Sequence, residues 1–488
     1  MIVALDATIA NVALPTMQPS LGAAPEQIVW VLTSYLIASA IMTPLSSWLA
    51  SRFGRRLVMT VSAAGFTLAS LGCGLANSLE FMVFARLVQG LCGAGLVPLG
   101  QATLLDINPP EKQGQAMAMT GLGAMLGPLA GPTLGGWLTD AFSWRWVFLI
   151  NIPIGLIAFA GLFLFLPESR DRNIGRFDVM GFATISIFLG AVQLMFDRGQ
   201  QLDWFDSTEV CIEAAMAVLF GYLALVHMFT ARGTFVRAEL FADRNFVIGC
   251  AISMAIGILI FATVPLVTVM TQSVLGYSAL QTGMIGIPRA IGTVTSLILV
   301  GRIVDKVDPR ILLMIGVLFV ITGLYILTGI SLEIDREPLL WAGLLQGFGG
   351  GLMISPLSAM TFSTLSARFR NEGTAIYSLA RSFGNSLGIS VLQVVAVRNA
   401  ASVSSRLAEG VRPDNPVMQQ AMPDFAFDSI PALMRMSGMI SRQATMVATI
   451  DTMWLTCIVA LATLPVIPLL RGRRRKGATL RPAAADLH

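Results

Sequence analysis

Apolar runs of about twenty residues recur along the whole chain, separated by short polar or basic segments. A helix of that length rises 1.5 Å per residue and crosses the ~30 Å of bilayer hydrocarbon. A window of this size predicts spans near 1–20, 27–49, 57–76, 80–105, 116–138, 146–166 and 179–197. It predicts a second set near 210–230, 246–271, 282–301, 311–330, 339–362, 375–397 and 447–470. The expectation is an all-α membrane protein of fourteen helices. Glycine and proline are frequent inside the spans, as transmembrane helices tolerate. One connection is out of scale. Residues 399–446 form a polar segment of 48 residues with Pro413, Pro416, Pro423 and Pro431. It is too long for a hairpin, and is expected to be a small exposed subdomain or a docking surface.

Composition agrees with the pattern. Charged residues make up 12% of the chain and hydrophobic residues 55%, where soluble proteins carry ~25% charge. Mean hydropathy is +0.74. So little charge cannot cover a water-facing surface, which excludes a disordered chain, a disulfide scaffold and a nucleic-acid binder. Cys73, Cys92, Cys211, Cys250 and Cys457 are scattered without a CxxC pair and read as small buried hydrophobes. With His227 and His488 the only histidines, no metal site or other cofactor is expected.

Basic residues set the orientation. The six short loops that follow even-numbered spans hold fifteen Lys and Arg, and those that follow odd-numbered spans hold three. The positive-inside rule then puts the first set, and both termini, in the cytoplasm. The tail Arg471-Gly472-Arg473-Arg474-Arg475-Lys476 reads as an anchor on anionic lipid. Trp144, Trp146 and Trp204 are expected in an aromatic belt at the outer interface.

The chain also repeats itself. Gln89-Gly90-Leu91-Cys92-Gly93 before Pro98-Leu99 echoes Gln346-Gly347-Phe348-Gly349-Gly350 before Pro356-Leu357, at an offset of 257. Ser47 to Arg52 echoes Gly301 to Lys306 at an offset of 254. Two echoes at nearly one displacement imply two related six-helix halves with a central site between them. The expected division is a first bundle over 1–168, an inserted helix pair over 169–237, a second bundle over 238–470 that includes the outer segment 399–446, and a basic tail over 471–488.

Asp6, Arg86, Arg289 and Arg381 fall inside expected spans. Each costs roughly 2.5–3.5 kcal/mol at a helix centre, so each needs a partner or a water-filled cavity. Asp6 is read as a carboxyl that binds and releases a proton as its surroundings change. The alternative is an interfacial acid favoured by its helix N-terminus. Arg86 serves either as a switchable partner of such an acid or as a plain ion-pair anchor. Arg289 and Arg381 are candidate cavity charges on the same grounds. In span 5, Gly123, Gly127, Gly131 and Gly135 recur every four residues, with Pro128, Pro132 and Gly136 among them. That face lets another backbone approach closely, either for packing or as a bending point.

Two enzymatic readings fail. Gly384-Asn385-Ser386-Leu387-Gly388 matches GxSxG but lies mid-span rather than on a strand-to-helix turn. Lys112, Lys306 and Lys476 do not follow a glycine, so no ATP-binding P-loop of the Walker A type is present.

These motifs resemble the major facilitator superfamily, in its fourteen-helix drug:proton antiporter branch of EmrB/QacA type. Leu5-Asp6-Ala7-Thr8-Ile9-Ala10-Asn11-Val12-Ala13-Leu14-Pro15 is similar to that branch's first-helix motif. Arg86-Leu87-Val88-Gln89-Gly90 resembles its RxxQG motif, and Gly127-Pro128 through Gly135-Gly136 its helix-5 antiporter motif. Asp197-Arg198-Gly199 and Arg244-Asn245-Phe246 look like further landmarks. The resemblance implies proton-driven efflux of hydrophobic or amphipathic drugs across an inner membrane, with Asp6 and Arg86 in proton coupling. It also implies a periplasmic membrane-fusion adaptor and an outer-membrane channel as partners of the long outer segment. The alternatives are a dedicated exporter of a siderophore or fatty acid, proton-coupled uptake, and a non-transporting membrane sensor or scaffold.

Two departures stand out. The family's loop 2–3 motif reads Gly-x-x-x-Asp-Arg-x-Gly-Arg-Arg. Here Ser47 and Ser51 replace the glycine and the aspartate, while Arg52, Gly54, Arg55 and Arg56 remain. The missing carboxylate puts that loop's charge relay in question. Span 1 also leaves only Met1 to Leu5 on the inner side of Asp6, which leads us to expect about 10–25 further residues upstream in the natural protein.

Overall fold

Helices cover every expected span. The computed structural model describes residues 2–109, 112–168, 177–199, 202–231, 234, 236–304, 307–332, 335–412, 414–422, 425, 427 and 429–471. The basic tail beyond Arg471 lies outside them.

The first half comprises α1 (Ile2–Ser20), α2 (Pro25–Ile28), α3 (Trp30–Phe53), α4 (Arg55–Gly74), α5 (Leu79–Gly93), α6 (Leu96–Ile107), α7 (Gln113–Ala141), α8 (Trp146–Leu149) and α9 (Asn151–Phe165). Two long helices follow, α10 (Val179–Arg198) and α11 (Thr208–Thr230), then the short α12 (Glu239–Ala242). The second half comprises α13 (Arg244–Ile256), α14 (Thr263–Val269), α15 (Ala279–Ile303), α16 (Pro309–Thr328), α17 (Arg336–Phe362), α18 (Arg370–Glu409), α19 (Pro416–Ala421) and α20 (Ile430–Thr463). No strand occurs among the described residues.

Eleven of the helical stretches are long and apolar enough to cross a membrane. α1, α7 and α17 occupy the other three expected spans. Helices are the natural product of such a chain, because in hydrocarbon every backbone polar group must be satisfied within its own segment. Two π-helical segments, Gly257–Ala262 and Met270–Val274, interrupt the span that runs from Arg244 to Val274. Large apolar side chains such as Leu68, Phe84, Ile157, Phe165 and Val218 stay more than half exposed. They form the surface that lipid covers, since exposed apolar patches of this extent do not occur on soluble monomers.

In the first half α3 packs on α5, α1 on α7, and α4 on α5 and α9, around Ile9, Met17, Met82, Val147 and Phe148. In the second, α15 and α16 pack on α17, and α18 on α13 and α20, around Leu259, Val317, Met353 and Tyr377. The halves meet where α7 contacts α15 and α17, and where α18 contacts α3 and α6. α10 pairs with α11 and lies against α3 and α18.

The structure adds evidence of duplication. Gly22 and Gly276 both take positive φ, +61° and +73°, at the 254-residue offset. Five residues later, Gln27 and Gln281 each accept the N-cap backbone N–H, of Ala24 and Ser278 respectively, at 3.0 Å. The same turn therefore opens the second span of each half.

Two expectations need correction. Residues 399–446 are not a separate subdomain. α18 runs on to Glu409 and α20 starts at Ile430, so most of the segment is a helical hairpin continuous with two spans, with α19 near its tip. Pro416 and Pro431 fall in the first turns of α19 and α20, where they cost no hydrogen bond, and Pro413 and Pro423 lie outside the described residues. Trp144 does not face lipid either. It is buried against Phe148, and only Trp146, of that pair, is exposed.

Candidate functional site

Asp6 and Arg86 form a fully buried ion pair inside the first bundle. Arg86 Nη1 donates to Asp6 Oδ2 at 2.6 Å, and both side chains are 0% exposed. Asp6 Oδ1 accepts from Gln89 Nε2 at 2.9 Å and from Asn151 Nδ2 at 2.7 Å. Gln89 also accepts from Arg86 Nη1 at 2.7 Å and donates to Ser70 Oγ at 2.7 Å. Arg86 Nε donates to the Val31 carbonyl at 2.9 Å. The Tyr35 and Phe148 rings flank the guanidinium at 4.3 and 5.6 Å from Cζ. Three donors on one carboxylate and a cation held between aromatic faces are what a charge pair needs away from water.

Local sequence explains how six helices converge there. Arg86 and Gln89, three residues apart on α5, share one face. Gly90 allows α3 to approach: a Cβ there would lie 2.5 Å from the Tyr35 carbonyl oxygen and 2.9 Å from Ala38 Cβ. That contact brings Val31 and Tyr35 within reach of Arg86. The glycine face of α7 does the same for α1. A Cβ at Gly127 would lie 2.5 Å from the Leu5 nitrogen, and one at Gly131 would strike Thr8. Thr8 Oγ1 in turn approaches the Gly127 carbonyl at 3.4 Å. The α7 motif therefore packs directly on the helix that carries Asp6. Gly135 is buried, while Gly123 and Gly136 have open space where a Cβ would project. α7 runs without a break through Pro128 and Pro132, whose side chains lie outside the described residues.

A second polar cluster ties the halves together at the basic-loop end. Gly54, at φ +97°, makes the turn between α3 and α4. Arg55 pairs with Asp106 at 2.8 Å and donates to Asn371 Oδ1 at 2.8 Å. Arg370, from the second half, pairs with the same Asp106 at 2.5 Å. Asn371 Nδ2 donates to Ser51 Oγ at 3.4 Å. Asp106 is the carboxylate of this cluster, and Ser51 joins it only through Asn371. Arg56 turns outward instead, donating to the Phe163 carbonyl and lying over that ring.

Arg289 and Arg381 do not join the Asp6 network. Arg289 Nη2 donates to the Ile260 carbonyl, and Arg381 lies 5.9 Å from the Tyr377 ring centre. Among the described residues neither has an acidic partner. The Ser of the GxSxG lookalike, Ser386, lies in α18 and is hydrogen-bonded to Gln193 at 3.1 Å.

Several of these residues carry little sign of a role in the sequence. Asn151 and Tyr35 gave only weak signals, a lone amide and a lone phenol in apolar runs. Asp106 was visible as an acid ending a span opposite an arginine-rich loop. Asp197, part of the Asp197-Arg198-Gly199 landmark, accepts from Thr33 Oγ1 at 3.1 Å and from Gln193 at 3.4 Å. Through Gln193 and Ser386 it connects α3, α10 and α18, a link that depends on how α10 docks.

Comparison with known proteins agrees with this architecture. Residues 1–389 match the family model described as Major Facilitator Superfamily. The chain is 31% identical to the multidrug export protein EmrB of Escherichia coli strain K12 over 471 residues, 95% of this chain and 91% of that one. It is 33% identical to the fatty acid resistance protein FarB of Neisseria gonorrhoeae over 411 residues, covering 84% and 81%. Among solved structures, the proton:xylose symporter XylE superposes with a TM-score of 0.58 at 15% identity, covering 95% of this chain and 93% of the other. At that identity the likeness speaks for the fold alone. The duplicated helical halves, the motif residues converging on Asp6 and the family match over most of the sequence agree, and the chain belongs to the major facilitator superfamily of membrane transporters.

Proposed function

We propose that this transporter is a proton-driven multidrug efflux antiporter of the bacterial inner membrane, with both termini in the cytoplasm. The observation that carries the reading is the Asp6–Arg86 pair, buried without any solvent contact, whose acid sits on the helix that packs against the glycine face of α7. An intramembrane acid held by a cation is a natural proton-exchange site, because a proton can replace the cation as the carboxylate's partner. The pair lies within one bundle rather than in an open cavity, so proton entry requires α1, α5 and α7 to shift. The similarity to EmrB supports drugs as substrates. The similarity to FarB favours, as a second reading, an exporter dedicated to fatty acids.

Everted membrane vesicles test the reading. With an acid-inside gradient they should accumulate a lipophilic dye, and collapsing the gradient should cut the rate by at least tenfold. Accumulation that ignores the gradient would sink proton coupling.

The helical hairpin beyond the bilayer suits a periplasmic adaptor leading to an outer-membrane channel. Ile430, Leu433 and Met434 share one exposed face of α20, roughly 20 Å beyond the expected span at 1.5 Å per residue. Leu433→Cys and Met434→Cys should label from the periplasm and crosslink to an adaptor in whole cells. Labelling from the cytoplasmic side alone would reverse the topology.

A further inference from the structure

The two halves share one ancestry but not one charge balance. The 254-residue offset that relates Gly22 to Gly276 also takes Tyr35 to Arg289, and takes Asp6 to the turn of Ile260. The 257-residue offset of the glycine motif takes Arg86 to Gly343. The first half thus holds a paired acid and base beside a tyrosine. The second holds a guanidinium with no acidic partner among the described residues in the tyrosine's place, an apolar turn in the acid's place and no side chain in the base's place.

The position of Arg289 is well built. It lies ten residues into α15 from Ala279, about 15 Å at 1.5 Å per residue and so near the middle of ~30 Å of hydrocarbon. The lipid face of α15 is marked by Met284, Ile287, Ile291 and Ile298, all exposed. Arg289 is two residues, about 200°, from both Ile287 and Ile291, so it points into the protein. Gly347 passes directly over its backbone, where a Cβ would clash with the Arg289 carbonyl, and Thr293 Oγ1 ties the Arg289 and Gly347 carbonyls at 2.9 and 3.1 Å. Arg289 is partly buried in this packing, and among the described residues its guanidinium donates to the Ile260 carbonyl of the π-helical turn. π-helical turns recur at functional sites. On the other side of the same turn the Arg381 backbone packs against Gly257, and that arginine also lacks a described acidic partner. The described acids of the second half sit at helix ends or in loops, as Asp308, Asp335, Glu337 and Glu372 do, except Asp451, which accepts from Asn399 at 3.5 Å.

We infer that Arg289, beside the Ile260 turn, is a binding site for the carboxylate of an amphipathic substrate, the ligand supplying in the second half the anion that Asp6 supplies in the first. This rests on the exporter reading above and narrows its substrate class. A guanidinium is charged at any physiological pH and offers a planar fork of donors that matches a carboxylate. Ile260, Ile285 and Ala290 on the same elements are buried, so the protein around the guanidinium is apolar.

The test uses the full chain in phosphatidylcholine nanodiscs, with laurate and its neutral counterpart dodecanol as probes. Wild type should bind laurate at least tenfold more tightly than dodecanol. Arg289→Gln should lose that preference while dodecanol affinity stays unchanged, and Arg289→Lys should keep part of it. Equal laurate binding by wild type and Arg289→Gln overturns the site. Should Arg289→Gln fail to fold, a diazirine-bearing fatty acid on unaltered protein gives the answer. Label on residues 257–262 and 285–293 supports the site, and label only elsewhere overturns it. If phosphatidylglycerol in the nanodisc abolishes laurate binding, the occupant is a membrane lipid and the substrate assignment falls. Failure of laurate binding together with normal gradient-driven dye transport overturns Arg289 and leaves the exporter reading standing.

Discussion

Asp6→Asn is expected to abolish uphill efflux, by at least a hundredfold, while the chain still inserts. Asparagine keeps the shape of the carboxylate but cannot exchange a proton, so drug movement loses its link to the gradient. The substitution also strands Arg86 in a site with no solvent contact. Removing one member of a buried pair costs about 3–5 kcal/mol, because the remaining charge is left uncompensated. A loss of transport alone is therefore ambiguous between lost coupling and a damaged bundle. The double variant Asp6→Asn/Arg86→Gln separates them. It removes both charges and leaves groups able to bond to Gln89, Asn151 and the Val31 carbonyl, so most of the lost thermal stability should return. Uphill efflux should not return with it. If the double variant recovers gradient-driven transport, Asp6 is structural and the coupling site lies elsewhere. Arg86→Lys should also transport poorly, since an ammonium cannot bond Asp6, Gln89 and Val31 in one plane while resting between two aromatic rings.

A crosslink between residues 51 and 371 is expected to stop turnover. Ser51 Oγ and Asn371 Nδ2 are 3.4 Å apart and belong to opposite halves. Asp106, gripped by Arg55 from its own half and Arg370 from the other, holds the same face closed. Alternating access requires that face to open once per cycle. In the variant Ser51→Cys/Asn371→Cys, oxidation or a short bifunctional thiol reagent should reduce efflux at least twentyfold, and reduction of the disulfide should restore it. Efflux that continues at full rate through a verified crosslink would show that this contact is not a gate. Asp106→Asn, which weakens both pairs without a covalent lock, should shift the balance toward opening and raise cytoplasmic thiol access to cysteines placed along α6.

Much of this was legible in one dimension. Hydrocarbon thickness fixes the length of each span and demands helices, so the positions of all the long helices follow from hydropathy. The offset between Gln89 and Gln346 revealed the duplication because a glycine-rich packing motif tolerates little change. Asp6, Arg86 and the glycines of α7 stood out because charge and repeated glycine are expensive or unusual inside a membrane. The outer hairpin was misread for the opposite reason. Residues 399–409 and 430–446 are polar, so hydropathy marked them as loop, although a helix that leaves the bilayer continues wherever its backbone can keep bonding.

The sequence by itself determined that this protein spans a membrane as two related bundles, and which charges must be accommodated there. Those are properties of local composition and period, which a linear chain displays in full. Only the tertiary structure decided who answers each charge. Asp6 finds Arg86, 80 residues away, and Asn151, 145 away, and Asp106 finds Arg370 at a separation of 264. Such partners are chosen by which glycine faces let backbones approach, as Gly90 does for α3 and Gly127 for α1. Pairing across those distances depends on the packing of whole helices, which leaves no periodic mark in the sequence. Among the described residues the same packing leaves Arg289 without an acid.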